Sequence, residues 1–217
     1  MLREPRSVAQ RCVGVLLAEE LTRQTEVLVS LGYPEVVREQ AASLLDPLRA
    51  RLGDEVGSGP TGASFVLVPG PLLVPVSSRV PMLSLNGRAG TLSRHFADVD
   101  SFRPVVEVPD APAYAVVGVE RGEEFRGVRP AEAAEVLAGR GRSMLTMEEG
   151  LAFLHAVPEA LVKNHCFHTG ASRGPDRRVP ALWISDKAPH LGWCWEQNHH
   201  TWLGVASADS RVTPTAA

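Results

Sequence analysis

Apolar residues recur at helical spacing in the first fifty positions and at strand spacing afterwards. Leu17, Leu21, Leu28 and Leu31 share one stripe, which predicts a helix over residues 6–31 stopped by Gly32 ahead of Tyr33-Pro34. Val37, Ala41, Leu44, Leu45 and Leu48 predict a second helix, with Pro47 breaking or kinking it. Residues 1–53 therefore read as a helical hairpin. Gly-Asp-Glu-Val-Gly-Ser-Gly-Pro-Thr-Gly-Ala, 53–63, has the composition of a linker. Beyond it, Ser64–Val68, Met82–Leu85, Val105–Val108 and Tyr114–Val119 predict strands. Pro130 opens a short helix over 130–138, and Thr146-Met-Glu-Glu149 has the form of a capping box for a helix ending near His155.

In the last third, apolar runs at 165–169, 179–185, 192–196 and 201–207 are separated by Gly, Pro, Asp and Asn, as in an antiparallel β-meander. The expected fold class is α+β: a helical hairpin packed on a mainly antiparallel sheet. The core spans 64–208 within one structural domain, and a flexible tail covers 209–217. Too few helices alternate with strands for a wholly parallel sheet.

The composition excludes several functions. A chain of 217 residues that is 44% hydrophobic and 22% charged has enough apolar surface to fold without a metal or disulfide framework. A net charge of −3, with no long basic run, gives no footprint for nucleic acid. Three cysteines, Cys12, Cys166 and Cys194, do not make a secreted disulfide scaffold. No segment approaches the roughly 20 apolar residues of a membrane span, and no secretory leader is legible, so a cytoplasmic location is expected.

Gly57-Ser-Gly-Pro-Thr-Gly62 matches G-x-G-x-x-G, but a helix precedes it and a strand follows. That is the reverse of the dinucleotide-binding context, so the match is read as linker. His95 reads as a loop histidine and His155 as a core or boundary histidine. Glu120, Glu123 and Glu124 read as turn charges, or else as carboxylates able to share a proton or bind a cation. Chemistry-bearing residues concentrate between Val162 and Ala208, which hold all four tryptophans, two of the three cysteines and five of the seven histidines. Candidate catalytic residues there are His200, Cys194, Cys166 and Asp176. Candidate substrate-binding residues are Trp193, Trp195, Trp202 and Arg178.

Three chemistries could use such a set. One is a thiol nucleophile, Cys166 or Cys194, with a histidine base. Another is an acid–base site of His200 or His190 with Asp186 or Asp176. The third is zinc held by Cys166 and Cys194 with His165, His168, His199 or His200, but the spacing lacks the paired C-x-x-C of zinc knuckles, so no cofactor is expected. Against all three stands an aromatic core in which the cysteines are small hydrophobes. Strand alternation sets Cys194 on the face opposite Trp193 and Trp195.

Asp176-Arg-Arg-Val-Pro-Ala-Leu-Trp-Ile-Ser185, Leu191-Gly-Trp-Cys-Trp195 and His200-Thr-Trp-Leu-Gly-Val-Ala-Ser207 resemble the C-terminal signature of a bacterial domain-of-unknown-function family found chiefly in high-GC actinobacteria. The resemblance extends through Phe65–Gly70, Glu120–Phe125 and Leu145–Gly150, most of residues 64–207. It implies no catalytic residues. Two functions remain open from sequence. One is a small-molecule enzyme of specialised metabolism using the Cys/His site. The other is a non-catalytic module that binds a protein partner, or a second copy of itself, through the Trp-rich sheet face or the hairpin.

Overall fold

A computed structural model describes residues 14–215. Its N-terminal layer is helical: α1 (Leu17–Ser30), α2 (Val36–Ala42) and α3 (Leu45–Leu52). Residues 14–16 are not helical, because Val15–Leu16 pairs as a short strand with Glu55–Val56; the rest of the expected extension towards residue 6 lies outside the described residues. The second helix breaks at Ser43-Leu44 rather than at Pro47. Pro47 lies in the first turn of α3, where its missing N–H has no helical acceptor to lose. Leu17, Leu21, Leu28, Val37, Ala41, Leu44 and Leu48 are buried, as the stripe predicts, with Leu31 and Leu45 at the margin.

The helices cover one face of an antiparallel sheet built on β1 (Gly62–Pro69) and β2 (Ala113–Glu120). Phe65, Leu67, Ala115 and Val117 face the helices; Val66, Val68, Tyr114 and Val116 face the main core. Burial on both faces explains the unbroken apolar run of β1, which lacks polar alternation. Gln24 of α1 completes part of that strand: its amide donates to the Phe65 carbonyl at 3.2 Å and accepts from the Leu67 N–H at 2.7 Å. A buried glutamine thus pairs backbone groups that would otherwise cost about 1–3 kcal/mol each.

Helix α4 (Pro130–Gly139) follows β2, and α5 (Met147–Ala156) is buried between the two sheets. The capping box forms: the Glu149 N–H donates to the Thr146 hydroxyl at 3.2 Å, and Glu149 Oε2 accepts from the Thr146 N–H at 2.8 Å. Gly150 lets α5 approach the second sheet closely, since a Cβ there would lie 2.3 Å from Thr169 Cγ2. That sheet contains β3 (Cys166–His168), β4 (Arg178–Ser185), β5 (Ala188–Trp195) and β6 (Leu203–Val205).

The α+β class holds, with four differences of detail. Residues 53–63 are not a free linker; Glu55–Val56 and Ser58–Gly59 pair with neighbouring strands. The expected strands at 82–85 and 105–108 reduce to Ser84–Leu85 and an irregular segment, because Pro81, Pro104 and Pro109 remove ladder donors. β3, β4 and β5 are antiparallel in succession, but β6 leaves the meander and pairs with β3 in parallel. The connection 196–202 therefore crosses the sheet. The tail is partly strand: β7 (Ser210–Val212) pairs with β2, and Arg211 binds the buried Glu149 at 2.6 and 2.8 Å. An otherwise unpaired buried carboxylate holds this segment in place.

Candidate functional site

The register of the second sheet decides which side chains meet. His168 lies opposite Ala181, and Cys194 opposite Val179. These positions share one face of the sheet with Trp183 and Gly192, so β4 separates His168 and Cys194 by one strand. The side chains bridge that gap: Cys194 Sγ lies 2.8 Å from His168 Nε2. The other ring nitrogen, Nδ1, is 3.0 Å from the Gly204 carbonyl of β6. A carbonyl only accepts, so Nδ1 carries the imidazole proton and Nε2 is left to accept the thiol proton. A thiol, an imidazole and a backbone carbonyl are thus joined in one chain of hydrogen bonds, a geometry that allows proton transfer from sulfur to Nε2.

Both members are neutral at rest. Burial pushes the Cys194 thiol up to about 12, opposed by the positive charge of Arg173. Burial holds His168 down to about 4; its hydrogen bond to Gly204 works the other way, and the charges of His200 and Arg173 add to the depression. His168 is fully buried, whereas Cys194 is partly exposed. The thiol is therefore the accessible member of the pair and the imidazole lies behind it.

The surroundings form a wall of rings. Trp183 lies flat along β5 over Gly192, where a Cβ would come within 2.1 Å of its ring. The connection 196–202 brings Trp202 edge-on to Trp183 at 6.1 Å, and His200 stacks obliquely on Trp202 at 5.4 Å. Arg173 adds charge. Its guanidinium donates to the Gly170 and Ser172 carbonyls and has no carboxylate partner within ion-pair distance among the described residues. Burial lowers its pKa, partly offset by Glu196 and Cys194.

The sequence-derived residues divide between the two faces. Cys194, His200 and Trp202 belong to the cluster just described. His168, rather than His200, is the imidazole in contact with Cys194, and the pairing of β3 and β5 on either side of β4 brings the two together. Cys166 is 2% exposed and its thiol donates to the Val162 carbonyl at 3.4 Å, away from any base; burial raises its pKa. Asp176 does not join the cysteines. It accepts from the Arg178 N–H and Nε at 3.0 and 2.7 Å. Arg178 also binds Asp98 and lies over the rings of Phe96, Phe102 and Trp193 at 5.2–5.9 Å, so it is a structural clamp on the opposite face. Trp193 and Trp195 stack on that same face at 5.0 Å, and Trp193 Nε1 donates to the His95 carbonyl at 2.8 Å.

The remaining candidates are mostly engaged in local pairs. Glu123 pairs with Arg121 and His165, Glu124 with Arg140 and Glu120 with Arg142, so these carboxylates do not share a proton. His155 is buried beside Tyr33, held down to about 4 by burial and the charge of Arg79. His190 meets the Thr91 hydroxyl at 2.8 Å. No three His, Cys, Asp or Glu side chains among the described residues converge closely enough to hold a metal ion. Cys12 lies outside the described residues.

The fold is α+β, and its tryptophan, cysteine and histidine side chains are concentrated on the C-terminal strands and the 196–202 connection. The chain belongs to a family of unknown function, DUF5701, whose model matches residues 27–214. No curated protein and no solved structure matches it. No helix among the described residues is long and apolar enough to cross a membrane.

Proposed function

We propose that the protein is a thiol-dependent enzyme acting on a small molecule with an electrophilic carbonyl, with Cys194 as nucleophile and His168 as general base. The observation that carries this reading is the 2.8 Å contact between Cys194 Sγ and His168 Nε2, with Nδ1 tied to a carbonyl. A thiol near 12 is inert until its proton leaves, so attack and proton transfer are coupled. The S–H proton passes to Nε2 as sulfur bonds to the carbonyl carbon. The imidazolium then returns that proton to the leaving group as its bond to carbon breaks. The products are an acyl thioester on Cys194 and the protonated leaving group. Arg173, without a carboxylate partner among the described residues, is the cation available to the developing oxyanion. Trp183, Trp202 and His200 wall the site. Two free thiols fit a reducing compartment, consistent with a cytoplasmic enzyme.

The test is acylation by 4-nitrophenyl acetate in a C12S background, followed by intact mass and peptide mapping. One acetyl group is expected on Cys194, lost in C194S and slowed at least about tenfold in H168Q, the lower end of what a general base contributes. No adduct on Cys194, or equal rates in H168Q and the parent, overturns the proposal. The pH–rate profile of the parent protein gives a variant-free readout. Because His168 is already neutral above about pH 4 and the thiol stays protonated to about 12, coupled transfer predicts a flat rate between about pH 5 and 9. A rate rising about tenfold per pH unit over that range would mean attack by a free thiolate and contradict it.

A further inference from the structure

Away from this site, two adjoining cavities of about 340 and 480 Å³ share Pro71, Leu72 and Pro104. Together they are in the size range of small-molecule pockets. None of their lining residues belongs to the second sheet. The walls are largely apolar, from Leu72, Val76 and Phe102, and Leu72 is 91% exposed at the mouth. The 70–74 wall is anchored from below: the buried Arg79 guanidinium donates to the Pro69, Gly70 and Val74 carbonyls at 2.9, 2.5 and 2.7 Å.

One polar group in the smaller cavity is anomalous. Glu148, in the first turn of α5, is 7% exposed, lines the cavity, and has a buried Oε2 with no hydrogen-bond partner among the described residues. Its neighbour Glu149 shows the normal solution, with Arg211, Tyr114 and the Thr146 N–H all on its carboxylate. The start of α5 favours a nearby negative charge, but that does not supply the missing donor. Asp100, in the same cavity, is satisfied by the Ser77 N–H and hydroxyl at 2.9 and 2.5 Å. Arg103 is turned to the Asp100 and Phe102 carbonyls at 2.7 and 2.9 Å. Neither Arg103 nor Arg79 donates to Glu148; both guanidiniums are spent on backbone carbonyls. An unpartnered buried carboxylate beneath an apolar groove is complementary to a cation on an apolar body.

We infer that this groove is a binding site for a small primary amine, its ammonium on Glu148 and its hydrocarbon body along Leu72 and Pro104. The probe is n-hexylammonium, titrated by calorimetry against its isosteres 1-hexanol and hexanoate. Saturable binding of the ammonium at least tenfold tighter than the alcohol is expected, with hexanoate weakest. E148Q should erase the ammonium's advantage, keep hexanol binding, and melt no lower than the parent, since it removes an unpaired buried charge. Absent or equal binding of ammonium and alcohol to the parent protein overturns the assignment without any variant, as does an advantage that survives in E148Q. Nα-acetyl-lysine N-methylamide, standing in for a peptide lysine, should bind no tighter than n-hexylammonium; tighter binding would overturn the small-molecule assignment.

Discussion

The two faces of the C-terminal sheet carry similar residue types in opposite states. On one face, Arg178 has both its acids, Asp98 and Asp176, and three aromatic rings beneath it. On the other, Arg173 has no acid, and Cys194 and His168 hold each other as a neutral thiol and a neutral imidazole. On the first face the arginine is fully paired, and it ties Asp98 and its loop to the sheet. The second keeps a thiol–imidazole contact beside two indoles, with an arginine nearby that has no acid partner among the described residues. Saturation, more than composition, separates packing from chemistry here.

Acid should separate the faces most strongly. His168 is held near 4 when folded and returns to about 6.5 when unfolded. Its contribution to stability is complete above pH 6.5 and is lost as the pH falls towards 4, by on the order of 3 kcal/mol. His155 behaves alike in the N-terminal half of the core. Urea unfolding between pH 7 and pH 4 should therefore show a steep loss, with H168Q and H155Q each flattening part of it. A slope unchanged in H168Q would mean that the histidine is not held neutral.

The next effect belongs to the saturated face. Arg178→Ala should cost roughly 1–3 kcal/mol in urea unfolding, from lost ion pairs and ring contacts, while Cys194 acetylation stays as in the parent. A collapse of both together would show that the faces are coupled. Arg173→Gln should reverse the pattern. Its effect on stability should stay within about 1 kcal/mol, because no pair is broken and a partly buried charge is removed, while alkylation of Cys194 by iodoacetamide shifts to higher pH. The smallest change is expected for Asp176→Asn, under about 1 kcal/mol, as for most exposed pairs. A larger loss would move Asp176 out of the surface role it has here.

These contrasts were partly legible in the sequence. The leucine stripe of α1, the capping box at Thr146 and the alternation that parts Cys194 from Trp193 and Trp195 all depend on neighbours a few residues apart. His168 as the base for Cys194 does not: it required β3, β4 and β5 to be placed side by side in one register, and that register is set by packing. Asp176 and Arg178 drew attention because they are close in sequence to the Trp-rich strands, and that same closeness lets them bind each other. The glycines of 53–63 suggested a linker, yet Gly62 belongs to a strand whose backbone crowds β2; a Cβ there would lie 2.3 Å from the Val119 carbonyl. Residues 210–212 are held by pairing with β2 and by a long-range ion pair, Arg211 with Glu149, neither of which a local pattern announces.

The central claim concerns one proton. In ¹⁵N-labelled protein at pH 7, long-range ¹H–¹⁵N correlation of the His168 ring should show a neutral imidazole protonated at Nδ1, with Nε2 carrying the signature of an acceptor and shifting when Cys194 is replaced by Ala. An imidazolium, a ring protonated at Nε2, or an Nε2 signal indifferent to C194A would contradict the thiol–base pair on which the account rests.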